Sequence, residues 1–406
     1  MSSEAPISDL DELLSAFAEG SLLRPSGDGL SIVDLGRGLA VLAGVPDLQH
    51  TPGSRALADL VGVHDHLVLG IVDGLGKHLL KESPADSFVS THLATDLRTV
   101  FPSTTAVALT SVATGEWPNR HGVTGWWTHL PEIGEAATIL QFTRRSDARS
   151  LADLGVMPAQ ALPVPSLLGR IPRETLALFP DRLVDSVYSA YIAGGRERRG
   201  YSSLGDAINI IAERLAHANG PTYTYLYTDR IDSAAHRYGA EHPKVRDALH
   251  EVDRQFERLT KKLDGRCRIV ITGDHGFVDV PRARNLQIRA SDALMGLLRS
   301  PPSGDARVLY LHVRPGFEGR VAYGLRQRFG QQFLIIRTAQ AEELELFGPG
   351  PMSESARVRF GDLIAISRGA DVIEYKPAGG LSRAMPVRAH HSGLTPDEML
   401  VPLVIA

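Results

Sequence analysis

Short, nearly unbroken apolar runs alternate along this chain with longer stretches whose apolar residues recur every three or four positions. "HLVLGIVDG" (66–74), "TYTYLYTDRID" (222–232), "RIVITGDHG" (268–276) and the closing "LVPLVIA" read as buried parallel strands. "HPKVRDALHEVDRQFERLTKKLDG" places Val245, Leu249, Val252, Phe256 and Leu259 at helical spacing and ends in a Gly, which predicts one long helix. Strand and helix taking turns predicts an α/β fold with a mostly parallel central sheet flanked by helices. In such sheets ligands bind just beyond the carboxyl ends of the strands. Three of these four runs end there in Asp or His.

Two regions break the alternation. Residues 126–200 read as irregular, with a Pro- and Leu-rich stretch and a basic segment, "GRERRGY" (195–201), that reads as a solvated loop or as a hold for a second phosphate. Residues 281–385 contain a strand–helix–strand–helix pattern of their own. The expected organisation is a catalytic core of residues 1–280 and 386–406, with a substrate-side insertion at 126–200 and an inserted α+β cap at 281–385.

Composition narrows the function. The 406 residues are 43% hydrophobic and 22% charged, enough for a large core, and the net charge is −4. That balance argues against a nucleic-acid polymer or an anionic membrane as the main partner. With one cysteine, Cys267, neither an intrachain disulfide nor a thiolate metal cluster can form. The acidic N-terminus lacks the basic and apolar regions of a secretory signal. The early run "LSIVDLGRGLAVLAGV" is broken by Asp34 and Arg37 and falls short of the roughly 20 apolar residues that span a bilayer. The expectation is a soluble, cytoplasmic protein.

The chemistry-bearing residues sit at strand exits. Asp73, in "GIVDGLG", reads as a metal ligand or as a turn and capping residue. Asp232 and His236 in "DRIDSAAHRYG" are four apart, so on a helix both face one way, a spacing that suits a divalent cation or equally a capping Asp beside a surface His. Asp274 and His275 follow a strand between two glycines that permit close approach to an ion. In "RAHHSGLTPDEMLVPL" either His390 or His391 can be a ligand, and Thr395 with Glu398 forms a capping box. Together these groups could fill two sites of mixed oxygen and nitrogen donors, the arrangement used for in-line phosphoryl displacement. A nucleophile is offered by "FPSTTAVALTSVATG" (101–115), whose hydroxyls Ser103, Thr104 and Thr105 open a helix that aims its N–H groups at an anion. One or more of them can equally be plain helix caps.

In this order, "IVDG", "FPSTTAVALTSVATGEWPNRHGV", "DRIDSAAHRYG", "TGDHGF" and "HSGLTPDEMLVPL" resemble the alkaline phosphatase superfamily, and within it the type I phosphodiesterase/nucleotide pyrophosphatase family. The resemblance implies an alkaline-phosphatase-like core. It implies that Thr105, three residues after Pro102 and ten before Gly115, is the nucleophile. One metal would be held by Asp73, Thr105, Asp274 and His275, the other by Asp232, His236 and His391, with Zn2+ or Mn2+ as the two divalent ions. The implied activity is hydrolysis of a phosphodiester or pyrophosphate bond through a covalent phospho-threonine. A small phosphorylated, nucleotide-like molecule is the expected partner, a cytosolic nucleotide or cyclic dinucleotide among the candidates. The alternatives are a phosphonate hydrolase or phosphomonoesterase on the same scaffold, or a metal-stabilised binding protein without catalysis. Two positions depart from the family pattern. Ala106 stands where many relatives carry a base-stacking aromatic, and Trp126 stands where an oxyanion-stabilising Asn is usual.

Overall fold

A computed structural model describes residues 8–27, 29–378 and 387–406. The expected boundary between cap and core at 385/386 lies outside the described residues. The apolar runs do become neighbours. Seven strands form one sheet in the order Leu93–Arg98, Leu400–Ile405, Arg268–Gly273, His66–Val72, Thr222–Thr228, Glu174–Pro180, Glu197–Tyr201. The central pairs are parallel, with Val72 opposite both Thr228 and Gly273. That register brings the next residues, Asp73, Asp229 and Asp274, out of the sheet at one level.

Strand residues alternate between two cores, as a pleated sheet requires. Leu67, Leu69 and Ile71 share one core with the helices Ile32–Leu42, Pro52–Val61 and Thr105–Thr114. Val68 and Val72 share the other with Leu204–Ala216, Arg230–Tyr238 and Pro243–Leu263. The last of these is the long helix predicted from its spacing, and its apolar stripe is buried throughout.

Three expectations need correcting. The closing "LVPLVIA" strand is antiparallel to both its neighbours, so the sheet is mixed at this side. Residues 126–200 are more regular than they read. They supply the sheet strands Glu174–Pro180 and Glu197–Tyr201 and a small three-stranded sheet, Thr128–Leu130, Glu135–Thr138 and Thr143–Arg144. "GRERRGY" is largely the edge strand Glu197–Tyr201, where charged side chains discourage further pairing. Charge on an edge strand hides the apolar pattern by which a central strand is recognised.

Residues 303–367 build a second, antiparallel sheet in the order Ser303–Asp305, Val308–Leu311, Leu363–Ser367, Phe333–Arg337. The helix Glu318–Phe329 packs on one face through Val321, Leu325 and Phe329. The other face shares a core with Leu13 of the first helix and with Phe101, Leu394 and Met399, which flank the candidate site in sequence. The first helix, Asp9–Glu19, is tied to this sheet by Asp9, whose carboxylate accepts the Ile335 N–H at 3.1 Å.

Candidate metal centre

The helix Thr105–Thr114 is buried at every residue, so it is held by packing on all sides. Thr104 occupies its N-cap position without a side-chain capping bond. Ser103, a candidate cap, works elsewhere. Its hydroxyl donates to Gly393 O at 2.8 Å and accepts the Ser392 N–H at 3.2 Å, pinning the loop that follows His391. Thr105 begins the helix, and its Oγ1 lies 3.1 Å from His275 Nε2 and 3.5 Å from both carboxylate oxygens of Asp73.

The Asp and His residues gather into two sets. Asp73, Asp274 and His275 form one and Asp232, His236 and His391 the other, with one donor atom of each residue within 4.8 Å of the others in its set. His390 is in neither; its backbone pairs with Val278, and burial pushes its ring down to about 4.

Each histidine in the two sets is oriented the same way. His236 Nδ1 meets Ala389 O at 2.8 Å, His275 Nδ1 meets Gly276 O at 3.1 Å, and His391 Nδ1 meets Ser103 O at 3.2 Å. A carbonyl can only accept, so each Nδ1 carries a proton and each Nε2 is the nitrogen turned into its set, the orientation that metal-binding imidazoles adopt. The Nε2 atoms of His236 and His391 face each other at 3.2 Å.

The carboxylates are held on one side and left open on the other. Asp274 Oδ1 accepts the N–H groups of Gly74 at 2.9 Å and His275 at 3.0 Å, while its buried Oδ2 has no partner. Asp232 Oδ1 is likewise buried and unsatisfied, lying 3.2 Å from His236 Nε2 without hydrogen-bonding geometry. Gly74 makes the turn that allows this: its φ is +76°, and a Cβ there would sit 1.9 Å from Phe277 Cζ.

Electrostatics points the same way. Burial, with the charges of Asp232 and Asp274, raises the Asp73 pKa well above the usual carboxylate range. Burial also raises Asp274. Burial disfavours a charged His236, but the Asp232 carboxylate outweighs it and lifts the ring to about 9. Burial holds His391 well below its usual value, helped by the charges of His275 and His236. A knot of desolvated carboxylates with orphaned oxygens and converging Nε2 atoms fits divalent cations with mixed oxygen and nitrogen preference.

Sequence reasoning missed several supporting residues. Tyr227 donates its hydroxyl to Asp73 Oδ2, and burial keeps that phenol protonated. Thr99 donates to the Asp274 carbonyl. Alternation in "TYTYLYTD" puts Tyr223, Tyr225 and Tyr227 on one sheet face, the last beside the Asp exits, so Tyr227 had a signal. Asp305 had none: it arrives from the second sheet and accepts the Thr104 hydroxyl at 3.0 Å and the Trp126 N–H at 3.4 Å. The position of the usual oxyanion Asn therefore has its backbone turned to a carboxylate. Trp127 lies under the Arg145 guanidinium, 4.7 Å from its ring centre.

Comparison with known proteins bears on the fold and the family. Murine ectonucleotide pyrophosphatase/phosphodiesterase 5 superposes with a TM-score of 0.59 at 15% identity, covering 83% of this chain and 87% of that one. The human protein of the same name gives 0.62 at 14% identity over 84% and 87%. Phosphonoacetate hydrolase from Sinorhizobium meliloti gives 0.59 at 18% identity over 84% and 89%. Among curated sequences, GPI ethanolamine phosphate transferase 3 of Schizosaccharomyces pombe is 36% identical over 47 residues, which is 12% of this chain and 5% of that protein. The structures share the fold, an alkaline-phosphatase-like α/β architecture. The family profile described as type I phosphodiesterase / nucleotide pyrophosphatase matches residues 67–147 and 171–390, and the chain belongs to that family.

Proposed function

We propose that the protein is a two-metal phosphodiesterase or nucleotide pyrophosphatase in which Thr105 is the nucleophile. The observation that carries this reading is the place of the Thr105 hydroxyl, at a helix N-terminus and within 3.5 Å of Asp73 and His275. Asp73, Thr105, Asp274 and His275 would hold one divalent ion, and Asp232, His236 and His391 the other, with Zn2+ and Mn2+ both compatible with the donors. Bound there, such ions lower the proton affinity of a coordinated hydroxyl and offset negative charge on phosphoryl oxygens.

The chain's own groups supply the rest. The buried helix fixes Thr105 so that Oγ1 can attack phosphorus in line, forming a covalent phospho-threonine as the ester oxygen departs. The first N–H groups of that helix point toward the phosphoryl oxygens and stabilise their charge without reorganising. Tyr227 orients Asp73, and Ser103 steadies the loop that carries His391. Water then cleaves the phospho-threonine and restores the hydroxyl. Solved murine ectonucleotide pyrophosphatase/phosphodiesterase 5 includes an inactive threonine-to-alanine variant in complex with AMP, which supports a nucleotide-like substrate for this chain.

Residues 281–385 would act as the cap over this site, and the region 126–200 would shape its substrate side. The working location is the cytoplasm, which makes nucleotides and cyclic dinucleotides the first substrates to try; no helix among the described residues is long and apolar enough to cross a membrane. The test is a screen of mono-, di- and cyclic dinucleotides, bis-p-nitrophenyl phosphate, p-nitrophenyl phosphate and a phosphonate with added Mn2+ or Zn2+. Diester or pyrophosphate cleavage that disappears in Thr105→Ala supports the reading. Phosphate release from the phosphonate alone would replace it with C–P hydrolysis, and metal binding without turnover would leave a binding protein.

A further inference from the structure

The second sheet delivers one carboxylate to the start of the Thr105–Thr114 helix. Asp305 Oδ1 accepts the Ala306 N–H at 2.8 Å, and Oδ2 accepts the Thr104 hydroxyl at 3.0 Å and the Trp126 N–H at 3.4 Å. Each carboxylate oxygen faces an N–H that can only donate, which supports the ionised form against a burial that raises the Asp305 pKa. Arg145, which feels the Asp305 charge, is engaged by Pro302 O and lies over the rings of Trp127 and Tyr375; it makes no ion pair with Asp305. Asp305 and His236 also act on each other's charge.

This placement is built with care by the backbone. Trp127 and Gly304 exchange both main-chain hydrogen bonds, at 2.9 and 2.7 Å. Gly125 backs onto Gly304 so closely that a Cβ on Gly125 would lie 2.7 Å from the Gly304 carbonyl. Gly304 itself has φ +94°, and a Cβ there would meet Val308 O at 2.4 Å. Two glycines thus press residues 125–128 and 303–305 together, and the next side chain on the strand is Asp305.

We propose that Asp305 is a specificity-determining residue that selects phosphodiesters against phosphate monoesters. The proposal rests on Thr105 marking the phosphoryl site. Asp305 bonds the residue next to Thr105 and is partly buried, so its charge is less screened than one in open solvent. A diester carries one negative charge at phosphorus. A monoester carries close to two at neutral pH, its second pKa being about 6. The repulsion from Asp305 therefore grows with the second charge, while the helix N-terminus and the cations attract both substrates. Discrimination comes from what penalises the competitor as much as from what holds the preferred ligand.

The test compares the parent enzyme with Asp305→Asn on bis-p-nitrophenyl phosphate and p-nitrophenyl phosphate in the presence of Mn2+. The monoester-to-diester ratio of kcat/KM should rise by at least about tenfold, mainly through a lower KM for the monoester. Asp305→Glu, which keeps the charge, should hold the parental ratio. Calorimetry at pH 8 reads the same charge without turnover. Inorganic phosphate should bind Asp305→Asn at least about fivefold tighter than the parent, with diethyl phosphate little changed. A ratio within twofold of the parent, whether both rates hold or fall together, would overturn the proposal, as would unchanged phosphate affinity. If Asp305→Asn melts early, Asp305→Ser serves as the neutral variant under the same criteria. A parent that cleaves neither ester would remove the proposed activity and leave the calorimetry to judge Asp305. Normal diester turnover with an unchanged ratio would do the reverse.

Discussion

Arg307 and Glu398 form a two-pronged ion pair in which neither side chain is exposed, and the pair joins the second sheet to the loop that carries His391. Arg307 Nη2 meets Glu398 Oε2 at 2.9 Å, and the same carboxylate accepts the Gly393 N–H at 2.7 Å and the Thr395 hydroxyl at 2.6 Å. The 391–398 loop is therefore braced from the second sheet by Arg307 and from the nucleophile segment by Ser103.

Removing one member strands a buried charge. Arg307→Met or Glu398→Gln should each cost about 3–5 kcal/mol of stability. The loosened loop should weaken metal binding at the set containing His391 more than at the set containing Asp274. Denaturant melts with metal titrations check both. Full stability in either variant would show that the pair does not brace the loop.

Tyr227→Phe leaves the packing of the sheet face and removes one hydrogen bond to Asp73. Groups that orient metal ligands typically contribute 10–100-fold in affinity or activity, and a loss of about that size is expected here. The melting temperature should change little, which separates this effect from unfolding. A variant with parental activity and metal content would remove Tyr227 from the site.

Acid should destabilise the fold through histidines that are buried neutral. Burial, helped by the Arg359 charge, lowers His121 to about 3, and its Nδ1 accepts the Val123 N–H at 3.1 Å, a bond that protonation destroys. Burial also lowers His129 to about 4 and His312 to about 3. The unfolded chain takes up these protons near pH 6.5, while the folded chain resists them. Stability is thus complete above pH 6.5 and falls as the pH drops toward 3, by up to about 2 kcal/mol per histidine at pH 5. Denaturant midpoints from pH 7 to 5 measure the slope, and His121→Gln should flatten it. A slope that steepens, or does not change, would contradict the assignment.

Much of the candidate site was legible because its residues sit where apolar strands stop. Asp73 and Asp274 follow runs that could only be buried, and Asp232 with His236 shows a helical spacing. Local spacing could not choose between His390 and His391. That choice depends on which ring faces a helix from elsewhere in the chain, and the resemblance rather than the residues pointed to His391. The direction of the closing strand was hidden for a similar reason, since an apolar run carries no sign of its neighbours' polarity. The strand Glu197–Tyr201 was obscured by its edge position. Asp305, Arg307 and Glu398 act across about ninety to two hundred residues of sequence separation, and no local pattern marks such partners.

The most direct measurement is diester turnover by Thr105→Ala, with metal content and melting temperature determined on the same preparation. The account predicts turnover at background, a parental melting curve and most of the bound metal retained through Asp73, Asp274, His275 and the second set. Parental turnover by this variant would contradict it.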